Sequence, residues 1–175
     1  VMVHRQVYNV RSMTSPHMRI GHGYDIHELA ANDRPLMLGG VAIEHDLGPV
    51  AHSDGDAVLH AVTDAILGAA GEGDIGQLFP DDDPANKGAD SRRFLEDAVS
   101  RALERGWKVI NIDATVVCER PRIAPHREAI RSRLEELLPG AAVNIKGRTH
   151  EGLDAIGQGR AVEVHALALL GNDAS

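Results

Sequence analysis

The sequence predicts an α+β fold, a mixed β-sheet with helices packed on one face. Three observations carry that reading. Stretches of strand character alternate with amphipathic helical stretches, in the order strand, hairpin, helix, loop, helix, strand, helix, strand, loop, strand. Aromatic residues make up only 3% of the chain, so the core must be built from Val, Ile, Leu and Ala. No internal repeat, low-complexity tract or linker divides the 175 residues, which suffice for one domain with a buried core.

Residues 1–18 stand apart. They mix polar and basic residues without periodicity and lack the apolar centre of a secretory signal. They read as a disordered leader or a non-native extension, with the domain over 19–171 and a tail over 172–175.

Residues 19–27 form the first predicted strand, where Gly21 and Gly23 allow close backbone approach. Residues 28–34 are a polar loop. Gly39-Gly40 between residues 36–38 and 41–43 marks a β-hairpin, because its turn favours positive φ. A helix follows, with Ser53 as N-cap, Asp56 as its capping-box acid and Gly71 as the stop. Residues 73–84 form a long loop rich in Gly, Pro and acids. A second helix spans 91–105, capped by Asp90 and stopped by Gly106, with Phe94, Leu95, Ala98, Ala102 and Leu103 as its buried stripe. Residues 108–117 are a strand and 119–121 a turn. A third helix covers 124–138, ended by Pro139-Gly140. Residues 142–146 form a strand, 149–159 a Gly-containing loop and 161–170 a closing strand. That last strand is apolar on both sides, with Leu167 and Leu169 opposite the Val162 side, which predicts oligomerisation.

Composition narrows the function. Apolar content of 43% and charged content of 25% are ordinary for a soluble globular chain. No apolar run is long enough to predict a membrane span. A net charge of -8 argues against nucleic-acid binding. It also means that a phosphate-rich ligand would need metal ions, helix N-termini or a few well-placed basic groups. The single Cys118 excludes an intrachain disulfide and suits a reducing cytoplasm.

Asp25 and His27 are two apart, so on a strand they share a side. With His60 they offer one carboxylate oxygen and two imidazole nitrogens, a Zn²⁺ donor set with an open fourth position. The same residues also suit a surface pair and a satisfied helix histidine. Asp56, His60 and Asp64 recur at helical spacing, so either acid can receive the second N–H of His60. The Asp74 loop suits a polyol, a second cation or plain solvation. Residues 146–152, with Lys146, Arg148, Thr149 and Glu151, suit a phosphate cradle with Mg²⁺ on Glu151, or an ordinary polar loop. Arg120-Pro121-Arg122 is a solvated turn or a phosphate clamp. Cys118 reads as a small core residue rather than a nucleophile.

Four ordered blocks carry a resemblance: RIGHGYDIH at 19–27, AHSDGD with Leu59-His60 from Ala51, GDIG with LFPD from Gly73, and KGADS at 87–91. Together they resemble the 2-C-methyl-D-erythritol 2,4-cyclodiphosphate synthase family over residues 18–171. The resemblance implies an enzyme of non-mevalonate isoprenoid biosynthesis. In that reaction the 2-phosphate of 4-diphosphocytidyl-2-C-methyl-D-erythritol 2-phosphate attacks its own β-phosphorus, closing a cyclic diphosphate and releasing CMP. It implies a homotrimer around a central cavity, with active sites between neighbouring subunits. By position it implies Asp25, His27 and His60 as Zn²⁺ ligands and Glu151 as the ligand of Mg²⁺ or Mn²⁺. His52 and Thr149 match transition-state-stabilising groups. Asp74, Ile75, Gly76, Phe79, Pro80, Asp81, Asp82 and Asp83 match the methylerythritol pocket. Cys118, Glu119, Arg120, Pro121, Arg122, Ile123 and Ala124 match the cytidine pocket of the neighbouring chain. Ser53, Arg148 and His150 complete the expected substrate-binding set.

The chain departs from the family pattern after Glu151. Thr149-His150-Glu151 stands for Thr-Thr-Glu, and Leu153-Asp154-Ala155 for Leu-Gly-Phe. Gly157-Gln158-Gly159-Arg160-Ala161 stands for Gly-Arg-Gly-Glu-Gly. The resemblance implies that this segment lines the central cavity, where isoprenoid diphosphates can bind. Three copies of Arg160 would make one end of it cationic, so the expected cavity ligand is anionic but contacted differently.

Overall fold

The structure is a computed structural model that describes residues 18–80 and 82–172. The expected leader, apart from Met18, lies outside the described residues. So do Asp81 and the tail beyond Asn172.

Five strands form one mixed sheet: β1 (Met18–Ala30), β4 (Gly48–Pro49), β5 (Lys108–Val117), β6 (Ala142–Arg148) and β7 (Ala161–Gly171). Their order is β4-β1-β7-β5-β6. β7 pairs antiparallel with β1 on one side and β5 on the other, and β6 runs parallel to β5. The strands β2 (Leu36–Leu38) and β3 (Val41–Ile43) form the expected hairpin, with Gly39 and Gly40 at φ +64 and +75.

The long helix α1 (Ala57–Ala70) lies on β1 and β7. Gly21 and Gly23 make this possible. A Cβ at Gly21 would sit 2.0 Å from the Ala65 carbonyl oxygen, and one at Gly23 would sit 1.9 Å from that of Ala61. Helix backbone therefore rests directly on strand backbone. The core joins Leu59, Val62, Ile66 and Leu67 of α1 to Val162, Val164 and Leu170 of β7 and Ile112, Ala114 and Val116 of β5. Helices α3 (Arg92–Glu104) and α4 (Arg127–Leu137) add Leu95, Ala98, Ile130 and Leu134.

Several boundaries differ from expectation. The α1 N-cap is Asp56, not Ser53. Its carboxylate accepts from Val58 and Leu59 N–H at 3.1 and 3.0 Å, and from Gly39 and Gly40 N–H at 2.7 and 2.6 Å. A fully buried carboxylate with four donors holds the hairpin turn against the helix start. Burial raises its pKa, against the lowering by the Gly40, Leu59 and Gly39 amides. Ser91, not Asp90, is the N-cap residue of α3. Leu103 is 53% exposed rather than part of the stripe. Helix α4 starts at Arg127, three residues later than expected. β1 continues to Ala30, where Leu29 and Ala30 pair with β4. Both long loops contain short helices, α2 (Ile75–Leu78) with a 3-10 turn over Pro84–Asn86, and α5 (Asp154–Gly157).

The sheet face away from α1 carries exposed Met18, Ile20, Tyr24, Ile26 and Leu167, with Ile20 at 73%. No helix among the described residues is long and apolar enough to cross a membrane.

Candidate metal centre and flanking clefts

On β1, residues 21, 23, 25 and 27 face α1. Where the glycines end, the side chains Asp25 and His27 begin. Because α1 runs against the strand, its first turns bring His60 to the same place. One Asp25 oxygen (Oδ2) lies 3.1 Å from His60 Nδ1 and 3.4 Å from His27 Nδ1. One donor atom from each of the three residues falls within 4.8 Å of the others, so the group can hold a metal ion.

Hydrogen bonding fixes which nitrogens are available. His27 Nδ1 lies 2.8 Å from the Ile26 carbonyl, which can only accept, so Nδ1 carries the hydrogen. His27 Nε2 is left with its lone pair, buried and without a hydrogen-bond partner. Such an atom is costly unless something electrophilic meets it. His60 Nε2 lies 2.8 Å from Ser91 Oγ and 3.2 Å from Ser53 Oγ. The Ser91 hydroxyl donates to Asp54, so it must accept from His60 Nε2–H. That leaves His60 Nδ1 facing Asp25. Burial disfavours the His60 imidazolium, but the hydrogen bond and charge of Asp25, with Asp56 and Asp54 behind, outweigh it and raise the pKa. The pocket thus favours positive charge at His60 Nδ1, and the residues fit a divalent cation.

The expected orienting acids are overturned. Asp56 is turned to the hairpin amides, and Asp64 accepts from Ile75 N–H at 2.7 Å. Ser91 and Ser53 hold His60 instead. Sequence reasoning missed that role for Ser91, although its block belonged to the resemblance.

The triad opens into a cleft of about 260 Å³ shared with His52, Ser53, Ile75, Gly76 and Phe79. Phe79 packs on Phe94 at 4.5 Å, and Phe94 on His60 at 6.0 Å. The His52 loop is tied down by Gly88 N–H to the His52 carbonyl at 2.7 Å, and by Arg34, which donates to the carbonyls of Ala51 and Ser53. Asp74 caps α2, accepting from Gln77 N–H at 2.8 Å, and Asp83 caps the 3-10 turn. Pro80 accepts from Asn86 through its carbonyl, and Asp82 is exposed.

A second cleft of about 300 Å³ gathers Cys118, Arg122, Ile123, Ala124, Arg148, Thr149 and Glu151. Arg127 also lines it, a cation that the helix pattern had not singled out. Thr149 Oγ1–H donates to Glu151 at 2.6 Å, and Glu151 holds a positive φ of +51. Strain of that kind recurs at functional sites. Glu119 Oε2 is buried without a partner, and the following Arg120–Pro121 peptide is cis. Cys118 Sγ–H donates to the Pro121 carbonyl, and burial, with Glu119 nearby, pushes the thiol up to about 11. It is a packed thiol, as expected. Lys146 is paired with Asp113 at 2.6 Å rather than free to cradle a phosphate. His150 pairs with Asp154 at 2.9 Å, and Arg160 donates to Gln158 at 2.9 Å.

The two clefts do not merge. β1 and β6 are separated by β7 and β5, about 14 Å at the usual strand spacing. A single chain holds the Asp25 triad at one side of its sheet and the Thr149–Glu151 loop at the other.

Fold and site define a class: an α+β protein with an Asp–His–His triad that can hold a divalent cation beside one of two polar clefts. A sequence profile of the YgbB family matches residues 18–171, and the chain belongs to that family. It is 51% identical over 154 residues to the chloroplastic 2-C-methyl-D-erythritol 2,4-cyclodiphosphate synthase of Arabidopsis thaliana, covering 87% of this chain and 66% of that one. The chain therefore spans about two thirds of that plant relative. It is 53% identical over 155 residues to the synthase of Pseudomonas aeruginosa (strain UCBPP-PA14), covering 87% and 98% of the two chains. The solved structure of IspF from Plasmodium falciparum, a CDP complex, matches with a TM-score of 0.79 at 34% identity, over 92% of this chain and all of that one.

Proposed function

We propose that this chain is a cyclodiphosphate synthase. It converts 4-diphosphocytidyl-2-C-methyl-D-erythritol 2-phosphate to 2-C-methyl-D-erythritol 2,4-cyclodiphosphate and CMP, within non-mevalonate isoprenoid precursor synthesis. The observation that carries this reading is the convergence of Asp25, His27 and His60 with the buried, unpartnered lone pair of His27 Nε2.

An oxygen of the 2-phosphate attacks the β-phosphorus. The bond from that phosphorus to the bridging oxygen breaks, and its electron pair leaves on CMP. The nucleophile is already an anion, so no strong base is required. The barrier lies in bringing anions together and in charge on the phosphoryl oxygens. A divalent cation held by Asp25 Oδ2, His27 Nε2 and His60 Nδ1, Zn²⁺ by donor type, would supply Lewis-acid stabilisation of that charge. Glu151 is the carboxylate that would hold Mg²⁺ or Mn²⁺, which would supply further neutralisation of phosphoryl charge. His52 and Thr149 donate to the phosphoryl oxygens. Ser53, Asp74, Ile75, Gly76 and residues 79–83 hold the methylerythritol end, and residues 118–124 with Arg148 and His150 hold the cytidine end.

The separation of the two clefts supports a site assembled from two chains. In this reading those chains are neighbours in a homotrimer, with the exposed apolar sheet face turned inward around a cavity. An isoprenoid diphosphate is the cavity ligand of this reading, met by Arg160. The reading places the enzyme in the cytoplasm.

Phosphorus NMR with the cytidyl diphosphate substrate, Zn²⁺ and Mg²⁺ tests it. Cyclic diphosphate plus CMP is expected. Linear phosphates carrying labelled oxygen from solvent would instead mark a hydrolase.

A further inference from the structure

The outward face of β1 carries its own histidine. Residues alternate sides along a strand, so His22 and Tyr24 point away from α1 while Gly23 and Asp25 face it. On β7, Glu163 and His165 share that outward face. Tyr24 lies opposite His165, and His22 opposite Leu167, so the two histidines are diagonal neighbours across the strand pair. His22 Nε2 lies 3.3 Å from His165 Nδ1. The other nitrogen of His165, Nε2, lies 3.1 Å from Glu163 Oε1. Tyr24 O–H donates to the second Glu163 oxygen at 3.2 Å.

This arrangement has a direction. A carboxylate only accepts, so His165 Nε2 carries the hydrogen and Nδ1 presents a lone pair. Tyr24 in turn holds the carboxylate. A histidine backed by a carboxylate on its far nitrogen is the usual way to orient an imidazole toward a metal. The spacing matches as well. Two nitrogens bound to one tetrahedral ion at about 2.0–2.1 Å stand about 3.4 Å apart. Without an ion, His22 Nε2–H fills the gap by donating to His165 Nδ1. With an ion, His22 carries its hydrogen on Nδ1 and both lone pairs meet the metal.

We propose that His22 and His165 form a second binding site for a divalent transition-metal ion, on the sheet face opposite Asp25 and His27. Two of the acids on this face are already engaged: Asp113 on β5 is held by Lys146 and Asn144, and Glu163 by His165 and Tyr24. The two facing nitrogens make the site a pair of imidazoles, with water completing the shell. Imidazole donors select Zn²⁺, Ni²⁺ and Cu²⁺ over Mg²⁺ or Ca²⁺. The site is complete within one chain and independent of the proposed reaction.

The test is calorimetric titration of the full chain with Zn²⁺, checked by elemental analysis. Wild type should bind about two equivalents per chain by the two donor sets. His22→Ala and His165→Ala, the first exposed and the second half-buried in the single chain and both on the face that the proposed trimer turns inward, should bind one and keep the tighter equivalent. Asp25→Asn should lose the tighter one and keep the other. Glu163→Gln should weaken the second equivalent roughly tenfold, as loss of an orienting carboxylate does. A single equivalent in wild type, or two retained in both histidine variants, would overturn the proposal.

Discussion

Ser91 holds His60 from behind, with its hydroxyl between Nε2 and the Asp54 carboxylate. Removing the hydroxyl frees the ring to change tautomer and turn. Ser91→Ala should weaken metal binding at the triad about 10- to 100-fold, the usual cost of losing an orienting partner. Competition with a chromophoric chelator measures it, and an unchanged affinity would show that Ser53 alone suffices. Cys118 gives a pH prediction. Its thiol is pushed up to about 11, so below that pH it is protonated and unreactive. Thiolate should be about one part in a thousand at pH 8, and alkylation should accelerate tenfold per pH unit toward 10. A fast reaction at pH 8 would mean that the burial is not kept in solution. The triad was legible as residues because Asp-x-His on a strand shares a side. Its hydrogen bonding was not, because Asp56 and Asp64 sit nearer to His60 in helical spacing than Ser91 does in sequence. Only the close packing of α3 on α1 puts that serine against the ring.

The contact of α1 on β1 sets the distance from Asp25 and His27 to His60. With no side chain between the two backbones at Gly21 and Gly23, nothing can compress to absorb an insertion. Gly23→Ala places a carbon 1.9 Å from the Ala61 oxygen, so helix and strand must part. A loss of about 3 kcal/mol is expected from overpacking of this kind. Denaturant unfolding would measure it, and metal titration should show the triad weakened in the same variant. The Gly39-Gly40 hairpin and the Gly71 stop of α1 were readable because each meets a local demand for positive φ. The start of α1 was not. Ser53, Asp54 and Asp56 are all good acceptors, and the choice falls to Asp56 because the hairpin amides come to it from elsewhere in the fold. Four-residue helices such as α2 and α5 leave no periodic signal to read. Leu103 fits the apolar spacing of α3, yet it is half exposed while Ala102 beside it in the same turn is buried, so the last turn presents Ala102 rather than Leu103 to the core.

For the whole molecule, the separated clefts make a sharp prediction. His60→Ala removes one half of the proposed site and Glu151→Ala the other, so each variant alone should be inactive. Unfolded together and refolded as mixed assemblies, they should recover roughly a quarter of wild-type activity, the share of sites that random mixing leaves intact. No recovery would mean that both halves serve one site within one chain. The fold class and helix-on-one-face layering were legible from the order of elements. That the proposed site is divided between neighbouring chains was expected from the resemblance alone; periodicity and composition could not give it, because the separation of the clefts depends on strand order rather than sequence order. One further consequence belongs to Asp56. Its carboxylate takes hydrogen bonds from two amides of the hairpin turn and two of the helix start, so neither segment can open without breaking the same anchor. The amides of Gly39, Gly40, Val58 and Leu59 should therefore exchange with deuterium as one cooperative unit, at a shared opening free energy, although the segments lie well apart in the chain.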